Sequence, residues 1–422
     1  MLESEDPKFR VLTLKKQRQS AYALADWTVH TDNLRVFEVA KEIVRAWTVL
    51  STQTSAYDND SDLASIVNTS TGVYPIWVGR GILHQLGERI RALVSAPVAY
   101  IVSDEAVHDH ARQAQRSLEA SGIPSHLFFV PKGETSKTLE TAKLVYGWLA
   151  DLRAERRHVI VAMGGGVVGD LAGLVAATNL RGMPFVQVPT TLLAMMDASI
   201  GGKVAVDLPQ GKNLVGAFYQ PCFVLSDVET LVTLPKRELT SGWAEAIKHG
   251  LILDRKLFEK FEIESEHITS LNPDIATDMI RRSVAIKAGV VSADEKETKG
   301  VRILLNYGHT IGHALESTSG YSKFLHGEAV SVGMMGAAEI GCLVGSLTEQ
   351  DVSRQRSALI KYGLPVNLES VDADEMLRAM KSDKKTSGGA IRWVLLDGIG
   401  KAETNHNVPE DYVRDALSKL IY

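Results

Sequence analysis

Two histidines stand four residues apart in the stretch Asn306-Tyr307-Gly308-His309-Thr310-Ile311-Gly312-His313-Ala314-Leu315-Glu316, which otherwise reads as a buried helix. Residues at that spacing lie about 40° apart around a helix axis, so both imidazoles share one face. A shared face fits a metal-binding pair, one ligand beside a residue of another role, or two core histidines. What else converges there decides between them. Upstream, Gly242-Trp243-Ala244-Glu245-Ala246-Ile247-Lys248-His249 puts Glu245, Lys248 and His249 on or near one face of an apolar helix. Lys287 and Arg302 follow, and Phe324-Leu325-His326-Gly327-Glu328-Ala329 lies downstream. One Glu with two His would suffice for a catalytic zinc site, which takes three N or O ligands and keeps one position open. Singly, an acid beside a lysine reads as an ion pair and a lone histidine as a hydrogen-bonded residue. Four polar clusters in an apolar helical half favour a site.

A second kind of chemistry lies earlier in the chain. Ala162-Met163-Gly164-Gly165-Gly166-Val167-Val168-Gly169-Asp170 follows an apolar strand and leads into a helix. Glycines there let backbone amides approach a pyrophosphate at the helix N-terminus, where the dipole also favours an anion. The spacing is GGGxxxD, so the ordinary GxGxxG dinucleotide fingerprint is absent. Asp197, Lys203, Lys212 and Asn213 then sit among glycines in what read as loops. They offer charge and donors without bulk, as a phosphate or polyol site needs.

These residues need elements to position them. YPIWVG, APVAYIVSD, SHLFFVP, HVIVAMGGG and PFVQVPTT are short apolar runs separated by helical patterns, which predicts a parallel α/β sheet. Beyond about residue 232 helical patterns dominate to Tyr422. Leu34 to Leu50 has helical periodicity, and the polar stretch Ser51 to Asp62 reads as a linker. The expected organisation is residues 1–50, a linker 51–63, an α/β domain 64–232 and a helical domain 233–422. A chain of 422 residues is too long for one core. A net charge of −5 argues against a nucleic-acid binder with a diffuse basic surface, so an anionic ligand must meet a local Lys and Arg cluster. Charge runs such as Asp294-Glu295-Lys296-Glu297-Thr298-Lys299 read as solvated surface. Cys222 and Cys342 fit a reducing cytosol and read as packing residues. No stretch reads as a membrane span, so a soluble, cytoplasmic protein is expected.

Taken in order, GETSKT, GGGVVGD, RGMPFVQVPTTLLAMMDASIGGK, GKNLVGAFYQP, WAEAIKHG, RILLNYGHTIGHALE, LHGEAVSVGM and DKK resemble the 3-dehydroquinate synthase family of sugar phosphate cyclases. The resemblance runs from about Gly72 to near Ala402. It implies an N-terminal Rossmann-like NAD-binding α/β domain followed by an all-α metal- and substrate-binding domain, the active site between them, and a homodimer. It further implies that Glu245, His309 and His326 bind Zn2+, with Co2+ as an alternative, while His313 faces the substrate's phosphate end. Asp197 and Lys248 look like partners of substrate hydroxyls. Arg181, Lys203, Asn213, Lys287, Arg302, Asn306 and the pair Lys384 and Lys385 look like the substrate-holding set. For NAD+, Asp104, Glu134, Lys137, Gly165, Gly166, Asp170, Thr190, Thr191, Lys212, Thr233 and Glu238 match the family positions. Ala106 departs from it, standing where the family often has Asn, and this touches one cofactor hydrogen bond. The implied reaction converts 3-deoxy-D-arabino-heptulosonate 7-phosphate to 3-dehydroquinate and phosphate. It runs through transient oxidation at C5, phosphate loss, return of the hydride, ring opening and an intramolecular aldol closure.

The segment KKQRQSAYALADWTVHTDNLRVFEVAKEIVRAW resembles the C-terminal end of shikimate kinase, yet no GxxxxGK[ST] phosphate loop occurs in the chain. Related enzymes are the competing readings: an aminodehydroquinate or valiolone synthase, or a metal-dependent polyol dehydrogenase. Retention of Lys287, Asn306 and His313 opposes the valiolone branch. The dehydrogenases lack the Lys203, Lys248 and Arg302 constellation.

Overall fold

Short runs buried on both faces build the central sheet. β5 (Val159–Gly164), VIVAMG, is buried at every position, as expected of a strand covered by helices on both sides. The computed structural model describes residues 60–320, 323–369, 371–384, 391–405 and 407–421, with the isolated positions 36, 39, 40 and 43 before them. Those four positions are helical. The rest of the helix expected over Leu34–Leu50, the kinase-like segment and almost all of the linker lie outside the described residues. Met1–Ser61 and Asp62–Tyr422 are separate units.

Among the described residues the sheet has seven strands in the order β1-β2-β9-β6-β5-β3-β4. Their ranges are β1 (Leu63–Thr69), β2 (Gly72–Gly79), β3 (Ala99–Asp104), β4 (Ser125–Val130), β5, β6 (Phe185–Pro189) and β9 (Val224–Asp227). Only β1 against β2 is antiparallel. Helices α1 (Leu86–Leu93), α2 (His108–Ala120), α3 (Leu139–Asp151) and α4 (Gly166–Thr178) connect or cover the strands. The stretch read as two loops is instead a hairpin, β7 (Lys203–Leu208) with β8 (Gly211–Phe218). Its alternation is obscured in sequence because β8 packs little of its surface and carries Gly211, Lys212 and Asn213 at its start.

The remaining helices are α5 (Lys236–Leu253), α6 (Arg255–Ile263), α7 (Ser265–Thr269), α8 (Pro273–Ala293), α9 (His309–Thr318), α10 (His326–Leu343), α11 (Glu349–Lys361), α12 (Ala373–Lys384) and α13 (Glu410–Leu420). One small hairpin, β10 (Trp393–Leu396) with β11 (Ala402–Asn405), is added to this helical part. The sequence change near residue 232 marks the end of the large sheet and not a gap in the core. Val67, Tyr74, Ile76 and Val78 of the first two strands belong to one apolar cluster with Trp243, Leu251, Ile280 and Val284 of α5 and α8. Each such large side chain contributes about 1.5–3 kcal/mol on burial, which offsets the cost of the polar groups that α5 carries inside.

Candidate active site

The C-terminal ends of β3, β5 and β6 lie side by side, the usual ligand position of a parallel sheet. Asp104 ends β3, Gly164 ends β5, and Thr190 follows β6. Gly165 is the N-cap of α4 and no side chain among the described residues caps that helix, which leaves its first amides for an anion. The Thr190 hydroxyl is buried without a partner among the described residues. Thr191 takes the Ala194 amide at 3.2 Å. The Asp104 carboxylate accepts the Ala106 amide at 2.8 Å, so the main chain of Ala106 pins Asp104 although the Asn side chain is missing. Burial raises the Asp104 carboxyl against that hydrogen bond. This cradle of free amides, an acid and an orphaned hydroxyl fits a dinucleotide.

Lys137 extends the cradle. Its ammonium is buried and donates to Asp170 and to Asn213 Oδ1, each at 2.5 Å, tying the glycine turn to the β7–β8 hairpin. Burial pushes the Asp170 carboxyl up to about 6 although Lys137 opposes it. Lys212 lies 3.7 Å from Glu134. Thr233 meets His110 Nε2 at 2.9 Å, and Glu238 is exposed on the first turn of α5.

The metal-type cluster is built by three helices. α5 brings Glu245, α9 brings His309 as its first residue, and α10 brings His326 as its first residue. Glu245 Oε1 lies 3.6 Å from His309 Nε2 and 3.7 Å from His326 Nε2. Tetrahedral bonds of about 2.0–2.1 Å would separate ligand atoms by roughly 3.3–3.4 Å, close to these two spacings, and all three ligand atoms lie within 4.8 Å of one another. That oxygen is fully buried and has no hydrogen-bond partner among the described residues, a cost that a bound cation removes. Two contacts lock the helices in place. Gly327 donates its amide to Ser241 Oγ at 3.0 Å, and a Cβ there would stand 1.9 Å from the Ser241 carbonyl oxygen. Arg237 holds both oxygens of Glu328 at 2.7 Å.

Around the triad the charges alternate. Lys248 pairs with Glu245 Oε2, and Lys287 pairs with Asp197, which sits in a π turn, Ala194–Ala198. Lys287 also reaches the Asp197 carbonyl at 2.7 Å. Burial opposes both carboxylates, but Lys248 and the imidazoles hold Glu245 well below its usual range. Lys287 and Lys248 likewise hold Asp197 at about 2. Burial, reinforced by Lys248, lowers His249 to about 3, and its Nδ1 meets Ser283 Oγ at 2.6 Å. Asp197, Glu245 and His249 form a second set near enough to share a cation. Lys287 already neutralises Asp197 there, so the Glu245, His309 and His326 set is the better metal site. Burial and Lys248 also keep His309 neutral, the form that ligates. The His313 ring is exposed and stands 5.3 Å from that of His309.

Lys203 and Arg302 converge on Glu297, at 2.6 Å and 3.6 Å. Arg302 also donates to the Glu295 carbonyl at 2.7 Å, and Gly201 lets it approach: a Cβ there would stand 2.6 Å from Nη2. Glu297 stands in a charge run that by composition reads as solvated surface. Its alternation of signs carries no period that points inward; only the positive φ of 57° at Glu297 and the four amides held by Asp294 turn the loop into the site. Asn306 is exposed at the end of the turn Arg302–Asn306. Arg181 is not brought to this cluster: it lies past the far end of α4, about 20 Å from the glycine turn by helix rise. Lys384 ends α12, and Lys385 lies outside the described residues.

The pattern of the 3-dehydroquinate synthase N-terminal domain matches residues 127–241, and that of the C-terminal domain matches residues 242–386. The chain belongs to the 3-dehydroquinate synthase family. It is 46% identical to the 3-dehydroquinate synthase of Pelobacter propionicus over 79% of this chain and 93% of that one. Its fold is similar to 2-epi-5-epi-valiolone synthase from Streptomyces hygroscopicus subsp. jinggangensis, solved with NAD+ and Zn2+ (28% identity, TM-score 0.75, covering 82% and 96%). It is also similar to 2-deoxy-scyllo-inosose synthase complexed with carbaglucose-6-phosphate, NAD+ and Co2+ (28% identity, TM-score 0.74, covering 84% and 99%). The GGGxxxD turn lies within the first matched range, and Glu245, His309 and His326 lie within the second.

Proposed function

We propose that this chain converts 3-deoxy-D-arabino-heptulosonate 7-phosphate to 3-dehydroquinate and phosphate, with NAD+ used catalytically and one Zn2+ held by Glu245, His309 and His326. The observation that carries it is the orphaned Glu245 oxygen between two imidazole nitrogens, ringed by Lys248, Asp197 and Lys287. When bound, NAD+ would supply reversible hydride transfer at C5 of the substrate. A metal held by Glu245, His309 and His326 would supply Lewis-acid polarisation of substrate oxygens.

The chain's own residues do the rest. Asp197 and Lys248 hold substrate hydroxyls beside the metal and keep them oriented for hydride loss. Lys203, Lys287, Arg302, Asn306 and His313, with Asn213 and the Lys384 and Lys385 pair, hold the anionic ends. They place the phosphate near the C6 proton that it removes as it departs. Glu297 occupies the Lys203 and Arg302 cations until a substrate anion takes its place. Asp104, Glu134, Lys137, Gly165, Gly166, Asp170, Thr190, Thr191, Lys212, Thr233 and Glu238 bind the dinucleotide. Arg181 stands a helix length from its own site and so serves a substrate only across a homodimer. The free Cys222 and Cys342 suit a reducing cytoplasm. Phosphate release from the heptulosonate, lost on chelation and recovered with Zn2+ or Co2+, tests the reading; release unaffected by a chelator that strips all metal overturns it.

A further inference from the structure

Glu316 is a buried acid beside this site with no part in the mechanism above. It lies on α9 seven residues after His309, on the same face, and its side chain is 10% exposed. Its Oε1 is 3.5 Å from His326 Nδ1, while Nε2 of the same ring faces Glu245 Oε1. The His326 imidazole therefore sits between two carboxylates, one at each nitrogen. His309 divides its nitrogens in the same way, with Nδ1 3.1 Å from the Tyr307 carbonyl oxygen and Nε2 toward Glu245. An imidazole ligates through one nitrogen, and the partner of the other sets the tautomer and the ring angle. The main chain supplies that partner at His309. At His326, the first residue of α10, the structure offers a side chain from another helix.

We infer that Glu316 is a positioning residue of the metal centre. With the metal in place its carboxylate accepts the Nδ1 proton of His326, fixes Nε2 as the ligating atom, and joins the α9 ligand to the α10 ligand. This rests on the reading of Glu245, His309 and His326 as a metal site. The contact stands a few tenths of an ångström beyond a usual hydrogen bond, within reach of a small side-chain rotation.

The test titrates metal-free wild type, Glu316→Ala and Glu316→Gln with Co2+, read by its visible absorption, with thermal melting of each metal-free protein as the control for folding. Wild type takes up one equivalent. Glu316→Ala binds roughly 10- to 100-fold more weakly with an altered spectrum, and Glu316→Gln, whose amide oxygen still accepts the proton, loses less. Wild-type affinity and spectrum in Glu316→Ala overturn the inference. Should Glu316→Ala melt early, Glu316→Asp decides: the retracted carboxylate weakens binding and shifts the spectrum, whereas wild-type behaviour overturns the inference. No cobalt uptake by wild type overturns the metal reading itself, and is distinguishable because it precedes any comparison of variants.

Discussion

At the scale of single residues, the two histidines of the opening stretch have different surroundings. His309 Nε2 faces Glu245, whereas His313 is exposed beside it. His309→Ala is expected to lose the metal, and His313→Ala to keep it while catalysis falls at least 100-fold; metal content and turnover of the two purified variants check this. Glu245 and Lys248 are a buried pair, and removing one member strands the other charge. Glu245→Gln should therefore cost about 3–5 kcal/mol of stability in the metal-free protein, and adding Lys248→Met should recover most of it without restoring metal binding. Denaturant unfolding of the three proteins measures both; equal stability of the single and double variants contradicts the pairing. Asp170 gives a pH dependence of known sign. Burial, opposed by Lys137, raises its folded pKa from 3.8 to about 6. The folded state thus keeps a proton that the unfolded chain has lost, and stability falls as pH rises through that window and is level above it. Asp170→Asn should lack this loss of up to about 3 kcal/mol, read as the difference between the two urea midpoints at several pH values.

At the scale of elements, the metal site depends on how closely α5 and α10 approach. Gly327→Ala would place a methyl 1.9 Å from the Ser241 carbonyl oxygen, so the helices must part. Expected are a loss of about 1–3 kcal/mol and a metal affinity lowered together with it; calorimetry on the metal-free protein and a cobalt titration check the pair. Much of this level was legible in the sequence. β3, β5 and β6 announce themselves because each is an apolar run closed by a turn residue, and the glycine run locates the cofactor end. β1 and the β7–β8 hairpin were not legible. SIVNTS and GKNLVGAF mix polar and small residues, and what makes them strands is pairing with β2 and with each other. The triad was found through the family's motifs. Spacing alone left His309 and His313 equivalent, because only the tertiary position of Glu245 distinguishes them.

At the scale of the whole molecule, residues 1–61 and 62–422 are separate units, and every described site residue lies in the second. A variant lacking residues 1–60 should fold and keep cyclase activity within a few-fold, while the full chain phosphorylates no shikimate. The composition could not reveal that the strand-rich and helical parts share one core, since that follows from which face of β1 and β2 meets α8. Within that single unit the glycine turn meets the π turn that carries Asp197: a Cβ at Gly166 would stand 3.2 Å from Ala198 Cβ. The most direct test supplies the heptulosonate phosphate in large excess to metal-loaded protein carrying one equivalent of NAD+, and follows dehydroquinate, phosphate and nicotinamide absorbance together. The account predicts many equivalents of dehydroquinate and phosphate in equal amounts with no accumulating NADH. Product that stops at one equivalent, or NADH that rises in step with it, would contradict the account.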